Sequence, residues 1–435
     1  MVFKRDLYLQ RLIDGLDSGL IKIITGIRRA GKSYLMNDIF YNYLLNQGTK
    51  KSTIIKFAFD SAGDLEKIGV NIYELVEQKK KVPYNKFIKY IDKKTSGNNK
   101  YYLLLDEIQN LEAFEFVLNG YMNKGNYDIY VTGSNSKFLS KDVITEFRGR
   151  GEEIHILPLS FSEYRSGIND DLEIAWDNYI TYGGLPIVQS MKTDEMKISY
   201  LKNVCKELYF KDILDHNKIY NSDILPEVFD IISSYLSREL NPLKLSNVFK
   251  SETNKVVDDE TIDKYIGFFE DAFLISKVIR YDIKGKKYIK TPYKIYFEDL
   301  GVRNARLNFR QIDESYLMEN VIYNELRYRG YVVDTGSVIV NEPTDRKDCN
   351  GKIVYIRKEY EVDFVASKGN KKYYIQSALS INDDNKLKQE SNSIMNIHDS
   401  FKKIIIVKDR IKPRIDESGI ETISLYDFLL KDYLS

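Results

Sequence analysis

Gly26-Ile27-Arg28-Arg29-Ala30-Gly31-Lys32-Ser33 decides how the rest of this chain is read. The short apolar run Ile21–Thr25 precedes it and the amphipathic run Lys32–Leu45 follows, so the pattern predicts strand, loop, helix. Glycines at the first and sixth positions let the backbone curl until its N–H groups converge on one point. A helix starting near Lys32 adds the positive end of its dipole there. Such a loop holds phosphate. Lys32 is expected to reach the β- and γ-phosphates of a nucleotide and Ser33 to ligate magnesium. Gly26, Arg28, Arg29, Ala30, Gly31 and Tyr34 complete the binding segment.

Working outward, short apolar runs alternate with longer amphipathic ones. Strands are predicted at Thr53–Phe57, Tyr101–Asp106, Asp128–Thr132 and Glu153–Leu157, with helices at Asn71–Lys79, Phe87–Thr95, Phe114–Met122 and Ser140–Phe147. That alternation implies an α/β fold with a parallel sheet covered on both faces. Leu103-Leu104-Leu105 is continuously apolar, as a central parallel strand requires. The strand ends in Asp106-Glu107, at the carboxyl edge where a crevice opens. Asp106 there can hold magnesium through water, and Glu107 can orient and polarise an attacking water. The strand Ile129–Thr132 runs into Gly133-Ser134-Asn135, so Ser134 or Asn135 is a candidate contact to a γ-phosphate; a capped turn explains either residue as well. Arg148 and Arg150, just before the last strand, are candidates to reach a phosphate across a subunit interface, against the plainer reading of solvated arginines.

These residues resemble the AAA-type branch of P-loop ATPases. The resemblance narrows to a widespread prokaryotic family that joins an N-terminal AAA ATPase to a C-terminal domain of unknown function. It is carried by the phosphate loop, Leu104-Leu105-Asp106-Glu107-Ile108-Gln109, Val131-Thr132-Gly133-Ser134, Gly149-Arg150, the run Leu157-Pro158-Leu159-Ser160-Phe161-Ser162-Glu163-Tyr164, Tyr182-Gly183-Gly184-Leu185-Pro186 and Glu361-Val362-Asp363-Phe364. It implies ATP, Mg2+ and hydrolysis, and leaves the client open.

Composition excludes several classes. Among 435 residues, 65 basic side chains balance 64 acidic ones, so no global field argues for nucleic acid or membrane. Cys205 and Cys349 lie far apart, which reads as a reducing compartment without a disulfide framework. His155, His216 and His398 are scattered, against zinc or triad chemistry. Charge at Lys4-Arg5-Asp6 argues against a signal peptide, and no apolar stretch reaches the ~20 residues of a membrane helix. The expectation is a cytoplasmic protein.

Three sections are expected: residues 1–165 as the AAA-type ATPase, 166–312 as a helical and winged-helix part, and 313–435 as an α/β part. In the middle section, helices near Leu243–Lys250 and from Asp258-Asp259 to Asp271 precede strands near Phe273–Tyr281 and Lys286–Ile289, the outline of a winged helix. Between Lys277 and Lys294 seven basic residues face one acid, Asp282, with Tyr281, Tyr288 and Tyr293 interleaved. That hairpin is a candidate DNA contact; against it, the preceding helix opens Asp258-Asp259-Glu260, which phosphate repels. The alternative is a protein-contact or lid element; a homo-oligomer is expected if Arg150 acts in trans.

The last section resembles the restriction-endonuclease-like fold. A helix at Tyr316–Arg329 carries Glu319, and strands are expected at Val332–Val340, Ile353–Arg357, Tyr360–Val365 and Lys372–Ile375. Nucleases of that fold hold a metal with acids and use a lysine beside them. Here Glu361, Asp363 and Gln376 stand where acids are expected, and Ala378 occupies the lysine position. The broken pattern favours an inactive fold used for binding or assembly.

Overall fold

The structure is a computed structural model that describes residues 3–78, 80–97, 99–133, 149–217, 219, 223–253, 255–347, 351–380 and 392–434. Five parallel strands form the first sheet: β1 (Ile21–Thr25), β2 (Ile54–Ala58), β3 (Tyr101–Asp106), β4 (Tyr127–Thr132) and β5 (Gly151–His155), in the order β2-β3-β4-β1-β5. Successive side chains point to opposite faces of a strand. Leu103 and Leu105 therefore enter one core with Ile23, Phe57 and Val131, while Leu104 enters the other with Ile24, Tyr130 and Ile154. This is why the apolar run has no polar interruption. Lys22 is the exception inside β1; its buried ammonium pairs with Asp128 and lies 4.6 Å above the Tyr130 ring.

Element ends differ from expectation by a few residues. The helix expected over Asn71–Lys79 spans Ile72–Glu77, and that over Phe87–Thr95 begins a turn earlier, at Tyr84. The helix after the phosphate loop is one continuous run, 32–46, with a π-type segment at Leu35–Phe40. The helix expected over Ser140–Phe147 lies outside the described residues.

The helices Pro242–Thr253 and Asp259–Asp271 lead into β6 (Ile275–Asp282) and β7 (Lys287–Phe297). This hairpin does not stand alone. β6 pairs in parallel with β8 (Val332–Lys347), so the hairpin becomes one edge of an eight-stranded sheet. The sheet continues through β9 (Ile353–Lys368), β10 (Lys371–Ala378), β11 (Lys402–Val407), β12 (Arg414–Ile415) and β13 (Ile420–Ser424), in the order β12-β13-β11-β10-β9-β8-β6-β7. β9 was expected as two strands broken at Lys358-Glu359. Both residues are paired with β8, at Val340 and Ile339, because charged side chains on an exposed ribbon cost nothing to leave in water.

One hydrophobic core joins the two sheets. It runs from Phe3, Tyr8 and Ile24 through Trp176, Phe229 and Tyr296 to Ile406 and Leu429. Among the described residues no helix is long and apolar enough to cross a membrane.

Candidate functional site

β1 delivers the chain into the loop at Gly26, whose φ of 132° lies outside the range of ordinary residues. A Cβ built there would sit 2.1 Å from the Ile156 carbonyl oxygen, so the loop passes flush against the segment after β5. Gly31 (φ 96°) closes the turn and starts the helix. Lys32 is buried, and its ammonium donates to the carbonyls of Gly26 (2.8 Å) and Ile27 (3.0 Å), pinning the loop from inside. Burial lowers its pKa to about 8, against the pull of Glu107 and Asp106.

The carboxyl ends of β3 and β4 complete the arrangement. Ser33 Oγ donates to Asp106 Oδ1 at 3.1 Å, and Asn37 Nδ2 donates to Asp106 Oδ2 at 3.3 Å. Thr132, at the end of β4, donates its hydroxyl to Asp106 Oδ1 and accepts from the Glu107 backbone N–H at 3.2 Å. Burial raises the Asp106 pKa, opposed by the Thr132 and Ser33 hydroxyls. Glu107 has left-handed backbone (φ 52°), a strained conformation for a non-glycine residue, and Gln109 donates to its carboxylate. Strain of this kind turns the side chain off the strand direction and toward the loop.

Lys32, Ser33, Glu107 and Arg29 line one cavity of about 570 Å³, within the range of small-molecule sites. Tyr34 lies on its wall, 43% exposed. Both loop arginines line this cavity and differ in how they are held. Arg28 is tied by its Nε to Asp212 at 2.8 Å, and its carbonyl accepts from the Tyr209 hydroxyl at 3.1 Å. Arg29 (φ 70°) is exposed on the cavity side. Ala30 is buried beneath the loop.

Several lining residues were not anticipated. Phe3, Asp60, Leu159, Pro186 and Ile187 all face the cavity. Pro186 and Ile187 are presented by Gly183-Gly184-Leu185-Pro186, which Asp299 grips: its carboxylate accepts from Gly184 N (2.8 Å) and Val302 N (2.9 Å). Gly183 (φ 76°) has Asp299 Oδ1 2.3 Å from where a Cβ would stand. The glycine pair was visible in the sequence; its purpose was not, because Asp299 is far along the chain. Asp60 has its pKa raised by burial and then by the charges of Glu107 and Asp106.

His155, read as without chemistry, is a joint. Thr25, the last residue before Gly26, donates to Glu153 Oε1 (2.6 Å) and lies 3.1 Å from His155 Nδ1. His155 Nε2 is 2.8 Å from Glu298 Oε1, which Arg327 also approaches at 3.4 Å. The strand that feeds the phosphate loop is thus linked to the end of β7 and to the helix Glu314–Tyr328. Ser134, Asn135 and Arg148 lie outside the described residues. Arg150 is exposed, and its carbonyl accepts from Ile21 N, at the end of β1 away from the loop.

The acidic set in the last section is brought together, with a cation the sequence did not indicate. Lys294 of β7 is buried, its ammonium 2.9 Å from Glu319 Oε1 and 2.6 Å from Glu361 Oε1. The Tyr296 hydroxyl donates to Glu319 at 2.6 Å. Asp363 Oδ2 accepts from Ser377 N and Oγ, both at 2.8 Å, and Gln376 Oε1 accepts from Asp363 N at 3.3 Å. Among the described residues no three His, Cys, Asp or Glu side chains stand in metal-holding geometry.

Residues 18–165 match the family model described as an AAA domain, and residues 173–313 match one described as a domain of unknown function, DUF8612. A Haemophilus influenzae relative, described as an uncharacterized protein, is 32% identical over 435 residues, covering 99% of each chain. The chain belongs to the family of that protein. A second relative, the uncharacterized protein MJ1544 of Methanocaldococcus jannaschii, is 27% identical over 383 residues, covering 84% of this chain and 76% of its own. The solved Walker-type ATPase PABY2304 of Pyrococcus abyssi is 13% identical, covering 70% of this chain and 96% of that chain, with a TM-score of 0.47. The N-terminal part is an AAA-type nucleotide-binding domain, as its match and its five-stranded parallel sheet agree.

Proposed function

We propose that this protein hydrolyses ATP with Mg2+ and uses the cycle as a switch or motor on a client. The observation that carries the reading is the direct contact of Ser33 Oγ with Asp106 Oδ1, beside Glu107 on the wall of the same cavity. A hydroxyl and a carboxylate at this separation are the hard oxygen donors that Mg2+ takes. Bound there, the ion would neutralise phosphate charge and draw Asp106 back to its ionised form. The loop N–H groups and Lys32 bind the phosphates. Glu107 orients the attacking water and accepts its proton, with Gln109 and Thr132 fixing where that carboxylate sits. Arg29, exposed on the cavity, is the loop cation that would meet the terminal phosphate within one chain, whereas Arg150 would need a second copy.

The test is a pair of variants followed by ATP binding and phosphate release. Glu107→Gln keeps binding and loses turnover by at least about a hundredfold; Lys32→Ala loses both. Turnover at the wild-type rate in Glu107→Gln would sink the assignment of the base.

A second reading, an ATP-responsive regulator that binds DNA, is favoured by the exposed lysines of the β6–β7 turn. We read the two preceding helices and this hairpin as a winged-helix element, and the last section as a restriction-endonuclease-like fold without nuclease activity. Supporting the latter, Lys294 already neutralises Glu319 and Glu361.

A further inference from the structure

We propose that the turn of the β6–β7 hairpin and the paired strands of the β8–β9 ribbon form one surface for the phosphate backbone of double-stranded DNA. This names the client class left open above and rests on that reading only for the part ATP plays.

The seven basic residues of the hairpin separate into two groups. Lys277 is held by Asp263 at 2.8 Å, Arg280 by Glu239 and Glu359, and Lys294 by Glu319 and Glu361. These three are neutralised by partners in the body. Lys284, Lys286, Lys287 and Lys290 are exposed at the turn. The acid of this stretch, Asp282, is buried and spent on the turn, accepting from Gly285 N at 2.8 Å. Tyr288 is 59% exposed among the lysines, its ring 5.2 Å from that of Tyr281.

The second half of the surface is a projecting ribbon. β6 pairs with β8 only at Thr335–Ser337, and β10 pairs with β9 only at Phe364–Lys368. Beyond them, from Val338↔Tyr360 to Lys347↔Ile353, the two strands have only each other. At about 3.3 Å per residue the ribbon reaches roughly 25–30 Å from the sheet. Arg346 and Arg357 are exposed on it; Lys358 lies 3.5 Å from Glu342. The β6–β7 turn adjoins the base of the ribbon, because Lys284 Nζ donates to the Ile339 carbonyl at 3.0 Å and Ile283 N to Ser337 O at 3.0 Å. Set in a chain of near-zero net charge, these exposed bases are a local concentration; of the ribbon's acids, Glu342 lies against Lys358 and Glu359 against Arg280, while Asp345 is exposed beside Arg346.

The shape favours a duplex over the other polyanions. A two-stranded ribbon fits the major groove while lysines beside it contact phosphates. A membrane surface asks for one apolar face. The ribbon's exposed apolar side chains do not make one: Ile353 and Tyr355 lie on one face of β9 and Ile356 on the other.

The test measures binding of a labelled mixed-sequence duplex to the full chain by anisotropy, from low to physiological salt, with and without ATP. We expect log K to fall linearly with log salt. Lys286→Glu with Lys287→Glu, and separately Arg346→Glu with Arg357→Glu, should each weaken binding at least tenfold and flatten that slope. Lys277→Ala should leave both unchanged. Binding that ignores salt, or that survives both charge reversals, overturns the proposal, as does preference for single-stranded RNA or anionic vesicles over the duplex. ATP turnover in the reversal variants is expected at the wild-type rate. Lost turnover in Lys32→Ala with a retained duplex affinity would bear on hydrolysis alone, so the two readings fail separately.

Discussion

At Gly26 the choice of residue is forced twice over, by a φ of 132° and by the Ile156 carbonyl 2.1 Å from any added Cβ. Gly26→Ala should cost about 3 kcal/mol or more, since the strain cannot relax without parting β1 from the segment after β5. A thermal melt measures the first effect, and nucleotide binding, expected to be lost even below the melt, measures the second. Lys32 makes a different demand. With its pKa lowered to about 8, the ammonium proposed to hold phosphate is increasingly neutral above that pH. Phosphate binds the charged form, so ATP affinity should be level below pH 8 and weaken above it, by up to about tenfold per unit. Titrations at pH 7, 8 and 9 check this; constant affinity across the three would place the phosphate away from Lys32. The gathering of these residues at one loop was legible in the sequence because each proposed role leaves a local mark: glycines at a fixed spacing, a lysine at a helix start, carboxylates at a strand end. Lys294 left none. It lies 25 positions from Glu319, and only the return of β7 against the helix Glu314–Tyr328 brings them together.

Among the elements, the loop Gly183-Gly184-Leu185-Pro186 shows how a binding wall is built from a distance. Its position depends on Asp299, which also caps the helix Leu300–Arg306. Burial raises the Asp299 pKa to about 6, above its unfolded value, although backbone N–H groups pull the other way. The folded state therefore holds this proton more tightly, and the contribution of Asp299 to stability falls as pH rises from about 4 to 6. Asp299→Asn should remove that slope. It also turns an amide N–H toward a backbone N–H, so a loss of about 1–3 kcal/mol is expected. Urea unfolding at pH 4.5 and 7 reads both, and KM for ATP should rise more than kcat falls as Pro186 and Ile187 loosen. The sequence marked this loop as a turn, since glycine and proline punctuate the chain wherever they stand. Its service to the cavity was not readable, because the loop meets the phosphate segment only through tertiary packing. The same limit explains β9: charge suggested a break where the pairing register shows a ribbon in water.

On the scale of the whole molecule, the His155 joint links the two sheets, and the Lys294 cluster ties β7 and β9 to the helix Glu314–Tyr328. Lys294→Met should leave Glu319 and Glu361 facing each other without a cation, at a cost of about 3–5 kcal/mol. Adding Glu319→Gln should return part of it. Denaturant curves of the single and double variants decide the matter, and an additive loss would show that the groups do not interact. The core that passes from Phe3 to Leu434 without a gap has a practical meaning for anyone who would divide the protein. A chain cut after residue 165 would keep the whole loop proposed to bind phosphate and still bare the core surface where Trp176, Tyr179 and Tyr328 now pack. Such a fragment should precipitate or stay unfolded. The engine has no casing of its own; the later two-thirds of the polypeptide is the casing.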